Sequence, residues 1–144
     1  MSFEFPAALR SALETAAQGI SRRELAERAA AISSRYRAGG NSNPIKSPDD
    51  ALAYGLVRMP ATFAAVSAAL DAIRQLRPDF APQSLLDVGA GPGTAAWAAR
   101  EACASLQSFL LIDANPALRE LSEWLMADAR QFSNANYRLG RAAE

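Results

Sequence analysis

Half of the 144 residues are hydrophobic and 21% are charged, and 15 basic side chains balance 15 acidic ones. This is a globular composition, long enough for one domain with a real core, and its zero net charge gives no bulk electrostatic case for nucleic-acid or membrane binding. With no histidine and only Cys103 as a thiol, Cys/His metal sites, intramolecular disulfides and histidine-based catalytic triads are excluded within this chain.

Residues 1–80 carry ten basic and eight acidic side chains, and residues 81–144 carry five and seven, so the parts stand at plus two and minus two. No charged-then-apolar leader opens the chain and no apolar run approaches a membrane span. A reducing, cytoplasmic setting without a membrane partner is therefore expected.

In chain order, PAALRSALETAAQ (6–18) predicts a helix, with Phe5, Leu9, Leu13, Ala16 and Ile20 forming an apolar stripe. Gly19 breaks it. Ser21 and Glu24 have the spacing of a capping box for a second helix with the stripe Leu25, Ala29, Ile32 and Tyr36. GGNSNPIKSPDD (39–50) reads as a loop, with Ser47-Pro48 as a cap and first helical residue. Arg58 is expected at a joint between two helices. After Pro60, Phe63, Val66, Ala69 or Leu70, Ile73 and Leu76 share one face of a long helix. Trp97 and Trp124 are expected in the core.

From residue 84 the pattern changes. SLLDVG is a strand candidate, a glycine turn follows, and TAAWAAREACA reads as a helix. QSFLLID (107–113) is a second strand candidate, and Asn115-Pro116 opens a helix facing inward with Leu118, Leu121, Leu125 and Met126. Strand, helix, strand, helix is the pattern of a parallel α/β sheet. The remaining QFSNANYRLGRAAE has no clear third strand beyond a short candidate around Asn136–Leu139. The sheet is accordingly expected to be incomplete, as in a fragment of a longer protein, with an exposed edge able to drive homo-oligomer formation. The division that follows is a helical region over 1–80 and the first βαβα part of a Rossmann-like domain over 81–144.

Gly89, Gly91 and Gly93 allow a tight turn and close approach of backbone to a ligand. A dinucleotide fingerprint fits only from Gly91, through Gly93 to Ala96. Asp87, two residues before Gly89, would repel a pyrophosphate but can accept hydrogen bonds from a ligand ammonium; its structural alternative is to cap the loop's own amides. Asp113 ends the second strand and suits a pair of ribose hydroxyls, or else caps the next helix. No G-K-[ST] follows, so a P-loop is unsupported. Arg58, one turn after Tyr54, could reach a ligand carboxylate or an RNA phosphate, or serve only to close its helix.

The run Asp87-Val-Gly-Ala-Gly-Pro-Gly-Thr94 resembles motif I of class I S-adenosylmethionine-dependent methyltransferases, and FLLIDAN (109–115) resembles their acidic second strand. Together with YGLVRMPATFAA (54–65), it is similar to the methyltransferase-like family associated with the mitochondrial small ribosomal subunit, which has bacterial members. The resemblance implies the N-terminal part of a bacterial member, with S-adenosylmethionine held by Asp87, Gly89, Ala90, Gly91, Gly93 and Asp113. Tyr54 and Arg58 would be substrate or structural residues, and ribosomal RNA or the small subunit the partner. It names no catalytic residue and no metal ligand. Alternatives are a catalytically inactive, methyltransferase-like ribosome assembly factor and a dinucleotide-dependent oxidoreductase.

Overall fold

A computed structural model describes residues 3–143. Helices α1 (Ala7–Ala16), α2 (Arg22–Arg37) and α3 (Pro48–Leu76) precede β1 (Ser84–Val88), α4 (Thr94–Ala102), β2 (Ser108–Asp113), α5 (Pro116–Met126), a single 3-10 turn (Arg130–Phe132) and β3 (Ala135–Leu139). The strands form one parallel sheet in the order β1-β2-β3. An α-helical region thus leads into a small parallel sheet with a partial Rossmann-like topology.

Period-two alternation gives the sheet two unlike faces. Leu85, Phe109 and Ala135 lie side by side in register, as do Asp87, Leu111 and Tyr137. Phe109, Leu111 and Tyr137 of this face are buried beneath the helices. Leu86 and Val88 point the other way and are 62% and 48% exposed. The core is continuous from Phe5, Leu9 and Leu13 of the N-terminal segment through Met59 and Phe63 of α3 to Trp97, Leu118 and Phe132. Phe132 meets Trp97 and Phe109 edge-on, with ring centroids 4.7 and 5.0 Å apart.

Local chemistry explains the helix starts. Ser47 Oγ accepts from Asp50 N at 3.1 Å, while the Asp50 carboxylate accepts from Ser47 N, a complete capping box with Pro48 at the first helical position. Asp50 also accepts from Arg28 at 2.9 Å, joining α2 to α3. At α2 only half of such a box forms: Ser21 accepts from Glu24 N.

Several expectations change. A third strand is present, Ala135–Leu139, because it pairs with β2 despite its mixed sequence. The expected joint at Arg58 is absent: α3 runs through Pro60 as one 29-residue helix. Pro60 removes one backbone donor, but its ring lies on the exposed side, and the buried residues Ala51, Leu52, Ala53, Gly55, Met59, Phe63 and Ser67 hold the helix along its packed side. The predicted inward face of α3 fails at its end, since Ile73 is exposed and Leu76 is 81% exposed. Trp97 is buried, whereas Trp124 is 48% exposed rather than core. By length and composition α3 is also apolar enough to cross a membrane, contrary to the sequence reading; in the structure it packs against α2, α4 and α5.

Candidate functional site

The glycine turn lies at the C-terminal end of the sheet, where open α/β sheets bind ligands. Gly89, Gly91 and Gly93 all have positive φ, at 77°, 55° and 84°. The three glycines answer different needs. A Cβ on Gly89 would meet nothing within 4 Å, and one on Gly91 only Leu118 Cδ1 at 4.0 Å, so both border open space. A Cβ on Gly93 would sit 2.6 Å from Ser122 Oγ and 2.9 Å from Met126 Cε. Gly93 therefore permits the close approach of the loop to α5, and α4 begins immediately after it.

The loop is held from within. Gly89 N and Ala90 N both donate to Ile112 O, at 2.8 and 3.0 Å, and Gly91 N donates to Asp113 Oδ2 at 2.9 Å. The Tyr137 hydroxyl donates to the Gly91 carbonyl from the neighbouring strand. Burial, and then the charges of Asp113 and Asp87, push the Tyr137 phenol far above its ordinary range, so it is a donor near neutral pH. The sequence carries no local signal for Tyr137, because its role depends on β3 lying beside β2.

The two strand-end acids differ. Asp113 accepts from Gly91 N through one oxygen and from Asn115 N through the other, each at 2.9 Å. Asn115 is the true cap of α5, accepting from Leu118 N at 3.1 Å while its amide donates to the Ser42 and Ile45 carbonyls. These bonds tie the loop before α3 to the end of β2. Asp87 Oδ2 is buried without a hydrogen-bond partner among the described residues. Burial, and then the negative charge of Asp113, raise the Asp87 carboxyl above its usual range. The loop amides of Gly89, Ala90 and Gly91 are taken by Ile112 and Asp113, so Asp87 does not cap them.

Tyr54 and Arg58, one turn apart on α3, face α2. Tyr54 stacks on Tyr36, with centroids 6.0 Å apart and planes 24° from parallel. With Ile32, Ser33 and Arg37 they line a cavity of about 430 Å³. Burial, and after it Tyr54 and the charge of Asp113, raise the Tyr36 phenol, while Arg58 opposes the shift. Tyr36 was legible in the sequence only as part of an apolar stripe.

No group of three or more histidine, cysteine, aspartate or glutamate side chains is arranged to hold a metal ion among the described residues. The site is thus the crossover turn of a small parallel α/β sheet, with an acid beside it, Asp87, that has one unpartnered oxygen among the described residues. Residues 48–144 match the family described as mitochondrial small ribosomal subunit Rsm22, and the chain belongs to that family. It is also 40% identical over 76 residues to the human (Homo sapiens) protein named Ribosome assembly protein METTL17, mitochondrial. That match takes in 52% of this chain and 17% of the relative. The expected cytoplasmic location is overturned, because the family description and the relative's name are both mitochondrial. Nothing in these matches singles out a bacterial member.

Proposed function

We propose that this chain is part of a methyltransferase-like protein that serves assembly of the small ribosomal subunit by binding, with an S-adenosyl compound as its ligand. Residues 1–80 form the helical region of that protein, and residues 81–144 begin its cofactor domain. The ribosomal partner rests on the family and on the human assembly protein. These favour a binding role over a catalytic one, and no residue here is assigned to catalysis.

The orphaned oxygen of Asp87 is the observation that carries the ligand reading. A buried carboxylate without a donor is destabilising, and a cationic ligand group would relieve it. Asp87 would take the ligand ammonium. Asp113 has two of about four lone-pair positions occupied by amides, which leaves room for two ribose hydroxyls. Gly89, Ala90, Gly91 and Gly93 shape the wall, with open space beside Gly89 for close approach. Of the S-adenosyl compounds, S-adenosylmethionine when bound would offer its sulfonium methyl group to in-line displacement.

The test is calorimetric titration of the folded chain with S-adenosylmethionine and S-adenosylhomocysteine, with NADH as a control. Asp87→Asn is the informative variant, because Asp113→Ala would also loosen the loop. Selective S-adenosyl binding, weakened about tenfold by Asp87→Asn, is expected. No binding to a chain shown to be folded would end the ligand reading. Transfer of labelled methyl groups to small-subunit RNA would replace the binding role with a catalytic one.

A further inference from the structure

The cavity between α2 and α3 lies outside the glycine turn. Its lining combines two chemistries. Tyr36 and Tyr54 present aromatic rings and hydroxyls, and Arg37 and Arg58 present exposed guanidinium groups. Neither arginine forms an ion pair among the described residues. Arg37 makes one long bond, from Nε to Ser33 O at 3.4 Å, which leaves most of its donors free. The helices bring the four residues together from opposite sides, α2 supplying Tyr36 and Arg37 and α3 supplying Tyr54 and Arg58.

Guanidinium forks match phosphate oxygens, and phenol rings match the faces of bases. At about 430 Å³ the cavity falls at the small end of the roughly 300–1,000 Å³ typical of ligand clefts and exceeds the needs of a lone anion. The competing carboxylate, Asp113, is already engaged by the amides of Gly91 and Asn115.

We propose that Tyr36, Arg37, Tyr54 and Arg58 form a site for one phosphate-bearing nucleotide unit, with the base against the tyrosines and the phosphate on the arginines. The nucleotide is supplied by a single-stranded segment of RNA or by a free mononucleotide. The choice of RNA as a source rests on the ribosome-assembly reading above; the site itself does not rest on S-adenosyl binding.

The test measures fluorescence anisotropy of a labelled single-stranded oligoribonucleotide with the full chain, alongside the same RNA as a duplex and calorimetry with AMP and UMP. The double variant Arg37→Gln/Arg58→Gln changes exposed side chains, so it should keep the fold, as circular dichroism would verify. Arg22→Gln/Arg74→Gln removes equal charge from exposed positions elsewhere on the helices. The site predicts about tenfold weaker single-strand binding for the first pair and under threefold for the second. It also predicts a salt-dependence slope shallower by about 0.7, as for one phosphate no longer neutralised on a single strand. AMP or UMP binding that is lost in the first pair would identify a free mononucleotide as a source and support the site.

Equal losses in both pairs would reduce the effect to general charge and overturn the proposal. So would equal affinity for duplex, or no binding of any nucleotide. S-adenosylmethionine affinity should be unchanged in Arg37→Gln/Arg58→Gln. If that affinity fell while RNA binding held, the cavity would belong to the cofactor instead. If only S-adenosyl binding were absent from the parent chain, the nucleotide site would stand and the cofactor reading would fall.

Discussion

The ends of β1 and β2 carry the same residue type with opposite consequences. Asp113 gathers amides from both sides of the crevice, while Asp87, one strand away, has a buried oxygen with none. Register explains the contrast. Gly89 and Ala90 turn their amides toward the Ile112 carbonyl, which draws the loop across β2 and delivers Gly91 N to Asp113. One acid therefore holds the loop in shape, and the other is left in a state that a ligand could improve. Identical chemistry at two strand ends becomes architecture in one case and an unsatisfied buried oxygen in the other.

The loop geometry supporting this contrast is most easily broken at Gly93. Gly93→Ala would place a methyl group 2.6 Å from Ser122 Oγ at a φ of 84°. Backbone strain and overpacking together should destabilise by about 3 kcal/mol. Gly89→Ala meets nothing within 4 Å and should lose only about 1 kcal/mol, from its backbone conformation. Denaturant unfolding of the two variants would measure the difference. Equal losses would mean that contact with α5 is not what makes Gly93 necessary.

Asp113→Ala tests the structural acid itself. It removes the acceptor for two amides, Gly91 N and Asn115 N, and should destabilise by about 2 kcal/mol. Hydrogen exchange should accelerate at Gly91 more than along β1. A stable variant with unchanged exchange would show that Asp113 is free for a ligand and does not hold the loop.

Much of this architecture was legible before the fold. Strand runs such as SLLDV and SFLLID, the glycine turn, and the Asn115-Pro116 helix start carry local signals that survive packing. β3 was hard to read because ANYRL has one deeply buried position, Tyr137, and takes its pairing from β2 rather than from its own hydrophobicity. Pro60 misled for the reverse reason: a local helix breaker was overridden by buried positions on both sides of it. At the site, Asp87 and Asp113 could be found by spacing, but their difference could not. It depends on which carbonyl captures the loop amides, a tertiary fact. Likewise Tyr54 and Arg58 share a helix face in the sequence, while Tyr36 and Arg37 join them only through the pairing of α2 with α3.

The Asp87 end of the comparison gives a smaller effect of opposite sign. Its carboxyl is raised by burial and then by the charge of Asp113, so the folded state binds the proton more tightly than the unfolded chain does. Over the interval from the ordinary carboxylate pKa, about 4, up to the raised value, the native state therefore holds more protons, and stability falls as pH rises. Below that interval Asp87 is neutral in both states, and Asp87→Asn should match the parent. Near neutral pH the variant should be more stable by about 1 kcal/mol, because it no longer buries an unpaired charge. Urea unfolding from pH 3.5 to 7.5 would follow the gap as it opens. A variant less stable at pH 7, or a gap independent of pH, would mean that Asp87 has a partner or is solvated. The gain in stability should accompany the loss of S-adenosyl binding, since on this account the same unpaired oxygen is responsible for both.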